Sequence, residues 1–196
     1  MTYSDQFKLA IERTASWGMP TPDLGRWSQN TASLSELKQH SMDILALTGD
    51  TPFDMIGKCV NASLVVHDLL RSRAIAEPLI TIGNVAVEGH PQFEITEDSL
   101  RQELQRGFNP DVPDETLNVH VWLTFPDMTR FDFTIKSSFA WHNKRRRLKR
   151  EESILVLDGK TRNSKFEFFP LLVGTGFLRR TLAPGTAGRC QDITSR

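Results

Sequence analysis

Cys59, His120 and Asp132 carry the side chains that nucleophilic acyl transfer requires. A thiol attacks a carbonyl carbon as thiolate, so a base must take its proton, and an imidazole base needs an acceptor that fixes its tautomer and orientation. Histidine suits the first task and aspartate the second. The chemistry is available only if the fold brings the three groups together, which depends on the local structure around each one.

The stretch Gly57 to Leu70, GKCVNASLVVHDLL, predicts a helix that starts at the cysteine. Cys59, Ala62, Val66 and Leu69 or Leu70 recur at helical spacing, while Val60, Leu64 and Val65 make most of the circumference apolar, the pattern of a helix surrounded by protein. At a helix start, unpaired backbone N–H groups and the positive end of the dipole favour thiolate over thiol. The same amides are candidate donors to an oxyanion, and the N–H of Cys59 is the first of them. A buried cysteine serves equally well as a small hydrophobe, and the helix alone does not separate the two roles.

Two alternating runs in NVHVWLTFPDMTRFDFTI, Asn118 to Ile135, predict a β-hairpin about Pro126 and Asp127. Pairing Val121 with Phe131 matches apolar with apolar along one face and sets His120 opposite Asp132. A one-residue slip mixes the faces and is disfavoured; a two-residue slip keeps the faces and leaves His120 diagonal to Asp132. Both registers keep the imidazole and the carboxylate on one face, which Trp122 shares, making Trp122 a candidate to line a substrate site. The competing reading is a surface His/Asp pair beside an unrelated buried thiol.

The remaining elements follow from local signals. Ser4 or Asp5 can cap a first helix to about Ser16, with Phe7, Leu9, Ala10 and Ile11 as its apolar side, and Ser33 with Glu36 forms a capping-box pair for a second helix that ends near Gly49. LITIGNVAV reads as a strand, His90 and Pro91 as loop, and SLRQELQRG as a helix capped by Asp98 or Ser99 and stopped by Gly107. Asn109, Pro110, Asp111 and Pro113 mark a surface loop. ILVLDGK is strand-like with a turn at Asp158 and Gly159, and Pro170 places the strand KFEFFPLLV at a sheet edge or a strand end. One domain is expected, with N-terminal helices over 4–48, a core over about 48–175 and a loop-like tail over 176–196.

Composition narrows the function classes. In 196 residues, 39% hydrophobic and 24% charged content are those of a folded soluble protein. No run nears the roughly 18 apolar residues of a membrane helix, and the N-terminus has no signal-peptide core, so no membrane partner is expected and a cytoplasmic location is the default, with signal-independent export left open. Formal net charge is zero, so nucleic-acid binding would need a local patch. The basic run Lys144, Arg145, Arg146, Arg147, Lys149 and Arg150 is the one candidate; Glu151 and Glu152 follow it at once, which suits a solvated face or an acidic partner better than nucleic acid. Cys59 and Cys190 are too few for a disulfide framework or a cysteine-rich zinc site, no paired ligand spacing suggests a metal, and no cofactor is called for. His67 lies about two helical turns from Cys59, too far for a direct hydrogen bond. His90 is the alternative base, and His40 and His142 have no carboxylate partner by pattern.

Cysteine at a helix start, SLVVHDLLRSRAIA continuing that helix, the strand ITIGNVAVEG, then HVW and FDFT follow the order of the transglutaminase-like superfamily, which the stretch from about Thr48 to Ile135 resembles. The resemblance implies an α+β fold with a papain-like core, a central helix packed on an antiparallel sheet. It implies Cys59 as nucleophile, His120 as acid/base and Asp132 as the carboxylate that orients it. A protein or peptide substrate is implied, attacked at an amide bond through a thioester that water resolves in a peptidase or deamidase, or an amine resolves in a transglutaminase. Hydrolysis is the simpler expectation because it needs no second binding site. Gly57 and Lys58 stand where the family often has Asp or Gly beside the cysteine, Ala74 replaces the Gly usual after the central helix, and no upstream side-chain oxyanion donor is evident. The alternative from another class is a non-catalytic binding protein on the same scaffold that uses the basic run for contacts.

Overall fold

The computed structural model describes residues 1–24, 27, 32–47, 50–107, 117–144, 147–161 and 164–182. In chain order the elements are α1 (Tyr3–Ser16), α2 (Leu34–Ala46), α3 (Cys59–Ser72), β1 (Leu79–Val87), β2 (His90–Pro91), α4 (Glu97–Arg106), β3 (Val121–Thr124), β4 (Arg130–Asp132), α5 (Ile135–His142), α6 (Arg150–Ser153), β5 (Leu155–Leu157), β6 (Phe166–Val173) and α7 (Gly176–Thr181). The fold is α+β, and the strand pairs described below are all antiparallel. Contacts divide the chain into two compact units: Met1–Pro22, Thr81–His120 and Asn163–Arg196 form the first, and Asp23–Ile80 with Val121–Arg162 form the second.

In the first unit β1 pairs with β2 and with β6. The residues expected as loop, His90 and Pro91, therefore fold back as a short strand on Val87 and Ala86. β6 pairs with β1 alone among the described strands of this unit, and the ladder shifts between Ile82 and Gly83, where Gly83 meets Pro170. Proline has no N–H to give the ladder, so an edge position with an irregularity is the arrangement it permits. α1 packs on β6. Thr14 Oγ1 accepts the Val173 N–H at 2.9 Å, and Arg13 donates to the Leu171 carbonyl at 2.9 Å while its Nε pairs with Glu97 at 2.7 Å. The cap of α1 is Thr2, with Asp5 as the reciprocal partner, and the cap of α4 is Thr96, with Ser99 in that second role; both lie a few residues before the caps expected. Leu9 is exposed, so the buried stripe of α1 is Phe7, Ala10 and Thr14. The tail expected as loop contains α7, whose Phe177 and Leu178 are buried, apolar burial there outweighing the local glycine signals.

In the second unit α2 starts at the Ser33/Glu36 capping box, as its sequence predicts, and α3 packs on α2 and on β3. β4 pairs with β3 on one side and with β5 on the other. The β3–β4 register is the two-residue slip: Leu123 faces Phe131 and Thr124 faces Arg130. Its cause is the turn. Phe125 donates to Thr129 O at 2.8 Å and Met128 to Phe125 O at 2.8 Å, with Met128 at φ 65°, so the connection is a three-residue loop with a left-handed third residue. Asp127 braces it by accepting from the N–H and hydroxyl of Thr129 at 3.0 and 2.9 Å. β4 also ends at Asp132, and Ile135, expected at the end of a strand, begins α5.

This turn has no room beside it. A Cβ on Gly159 would lie 1.8 Å from the Asp127 carbonyl oxygen. Gly159→Ala is therefore expected to destabilise the protein by about 1–3 kcal/mol, the usual range for overpacking, measured as a lower urea midpoint; an unchanged midpoint would contradict the close approach.

The capping carboxyls supply a pH dependence. Glu36 is held below its ordinary value by the backbone N–H and hydroxyl of Ser33, Asp5 by the hydroxyl and N–H of Thr2, and Asp54 by the hydroxyl and N–H of Thr51. Folded values below unfolded ones mean that the unfolded chain binds more protons, so this stabilisation is complete above the ordinary carboxylate range and is lost as pH falls below about 4. Melting temperatures from neutral to acid pH should fall less steeply for Ser33→Ala than for the parent; identical acid limbs would count against the cap.

Candidate active site

Cys59 is the first residue of α3, as the sequence predicts, and is 8% exposed. Gly57, at φ 77°, turns the chain into the helix in a conformation that favours glycine. α1, α2 and α4 each start with a hydroxyl cap, whereas α3 starts at Lys58 with no side-chain cap. Lys58 instead extends to Asp50, Nζ to Oδ1 at 2.8 Å, and the Asp50 carbonyl accepts from Arg150 Nη2 at 2.8 Å. One turn into the helix, Ser63 Oγ donates to Val121 O at 3.2 Å and ties α3 to the first residue of β3.

Asp132 is 0% exposed. Its Oδ1 accepts the N–H groups of Thr134 and Ile135, each at 2.9 Å, so the carboxylate that closes β4 also receives the opening amides of α5. That double duty ends the strand early, because the chain must curl around the oxygen. The observed register makes Trp122, in place of His120, the next cross-strand neighbour of Asp132, a correction that follows from the three-residue turn. Trp122 is wholly buried, and its ring reaches no solvent.

His120 belongs to the first unit and directly precedes β3. It is 1% exposed, its carbonyl accepts the Gly83 N–H at 3.1 Å, and its ring stacks on Phe93 with centroids 4.3 Å apart and planes 14° from parallel. Phe93 is held because Asn84 bonds both backbone groups of Ile95 and Gln92 donates to Val85 O at 2.8 Å. Nothing in the sequence around Phe93 marks it as a partner for a histidine 27 positions away. Burial of both His120 and Asp132 overturns the reading of a surface pair.

Cys59 and Asp132 thus stand in the second unit and His120 at the end of a segment of the first. Buried His67 has Nδ1 2.7 Å from Asp68 Oδ1, and His90 is exposed with Nδ1 3.0 Å from Glu88 O. Cys190, Arg145, Arg146 and the Asn109–Pro113 loop lie outside the described residues. Among the described residues no group of three or more His, Cys, Asp or Glu side chains is placed to hold a metal ion, and no helix is long and apolar enough to cross a membrane. In comparisons with protein-family models, curated proteins and solved structures, none matches the chain.

Substitution at Asp132 separates its acceptor role from its charge. Asparagine keeps an oxygen for Thr134 and Ile135, whereas alanine strands both N–H groups in a buried site at about 1–3 kcal/mol each. Asp132→Ala is expected to unfold at clearly lower denaturant than Asp132→Asn; coincident midpoints would refute the capping role.

Proposed function

We propose that the chain is a cysteine-dependent acyl-transfer enzyme acting on amide bonds, with hydrolysis as its overall reaction. The roles are those of a papain-like core of the transglutaminase-like type: Cys59 is nucleophile, His120 acid/base and Asp132 the orienting carboxylate. His120 takes the thiol proton, and the thiolate adds to the amide carbonyl carbon. The tetrahedral oxyanion is received by backbone N–H groups at the start of α3, that of Cys59 first. Collapse breaks the C–N bond, His120 returns its proton to the departing amine, and a thioester remains. Water, deprotonated by His120, then releases the acid and restores the thiol.

The observation that supports this function is a buried thiol on the first residue of α3, whose N-cap Lys58 makes no side-chain cap bond, in a chain whose His120 and Asp132 are each withdrawn from solvent. The first backbone N–H groups of any helix have no acceptor within the helix and point toward its N-terminal end, where a substrate oxygen can approach. Burying an imidazole and a carboxylate is costly unless each finds partners, and such burial is concentrated at sites that use it.

Alkylation by iodoacetamide across pH, followed by mass spectrometry of the Cys59 peptide with Cys59→Ala as control, tests the function. Reaction at Cys59 should persist well below pH 7 in the folded protein and be suppressed there by His120→Ala, whereas the urea-unfolded chain should react as an ordinary thiol, rising toward about pH 8.5. A folded-state profile that matches the unfolded one would sink the catalytic function.

A further inference from the structure

The C-terminal end of α5 and the cations beyond it form a face whose chemistry is unspent. Trp141 is 62% exposed. Lys144, Arg147 and Lys149 are exposed, and none forms an ion pair among the described residues. The carboxylates nearby are Asp50, paired with Lys58, Glu152, which accepts from the Lys149 N–H at 3.4 Å, and exposed Glu151.

Two contacts tie this face to the loop that delivers the cysteine. Trp141 packs on Phe53 with ring centroids 6.0 Å apart, and Arg150 Nη2 bonds the Asp50 carbonyl, whose side chain holds Lys58 next to Cys59. Arg150 itself is part-buried, its guanidinium committed to bracing the Asp50 loop.

We propose that the face carrying Trp141, Lys144, Arg147 and Lys149 docks an acidic segment of the protein substrate on which Cys59 acts. This rests on the acyl-transfer function above. Carboxylates match the exposed cations, and the indole offers apolar contact to a side chain between them. A protein segment fits better than nucleic acid on two grounds. Glu151 and Glu152 interrupt the positive field that a continuous phosphate backbone would need, and an acyl-transfer cysteine needs an amide, which a peptide brings.

Fluorescence anisotropy with a labelled short poly-glutamate peptide and a poly-glutamine peptide of equal length tests the docking on Cys59→Ala protein. The glutamate peptide should bind in a salt-sensitive manner, and the combined reversal Lys144→Glu, Arg147→Glu and Lys149→Glu should weaken it about tenfold or more, with an unchanged circular dichroism spectrum. In the parent protein the peptide should also slow alkylation of Cys59, an effect lost in the reversal variant. Equal binding of the two peptides, or indifference to the reversal, overturns the docking face. Tighter, reversal-sensitive binding of a single-stranded oligonucleotide reassigns the face to nucleic acid and overturns it equally. Binding without slowed alkylation overturns the link to the substrate. An ordinary thiol profile at Cys59 with reversal-sensitive peptide binding defeats the catalytic function and supports docking alone.

Discussion

The backbone N–H groups at the start of each helix must find acceptors, and how each helix meets that demand organises much of this molecule. α1, α2 and α4 meet it locally, with a hydroxyl and a reciprocal partner three residues on. α5 meets it with Asp132, a residue of the preceding strand, so one carboxylate ends β4, begins α5 and is buried in the process. α3 gets no cap bond from its N-cap residue, Lys58, and starts on a cysteine.

That difference gives the helix starts different chemical characters. A capped start is stable and closed to ligands. In α3 the N-cap residue is Lys58, whose ammonium is a donor only and turns to Asp50, so the helix begins without a cap from that side chain. The same Asp50 connects through its carbonyl to Arg150, so the loop before the cysteine is braced by the basic segment that the sequence presents as a separate feature.

The first unit shows the complementary case of a polar residue held by apolar surroundings. His120 is fixed by its backbone to Gly83 and by its ring to Phe93, and Phe93 is fixed in turn by Asn84 through Ile95. A stacked, buried imidazole has little rotational freedom, which is the condition an orienting base needs and also the condition of a well-packed core histidine. The distinction is chemical and is read at the thiol.

Local patterns were legible in the sequence: the Ser33/Glu36 box, the span of α3 from Cys59, the length of β1, the edge placement required by Pro170, and the even parity of the hairpin that sets Leu123 opposite Phe131. Capping, helical period and strand alternation are contacts between near neighbours, so the residue order alone specifies them. Tertiary structure decided the rest. The hairpin register depended on Met128 accepting a left-handed conformation beside Gly159, and α7 depended on burial of Phe177 and Leu178, while the turn of Ile135 into a helix on the Asp132 oxygen is a local contact that the alternating pattern concealed. Whether His120 faces water or protein depended on Phe93 and Gly83, brought from elsewhere in the chain, and no periodicity within a strand records what covers its faces.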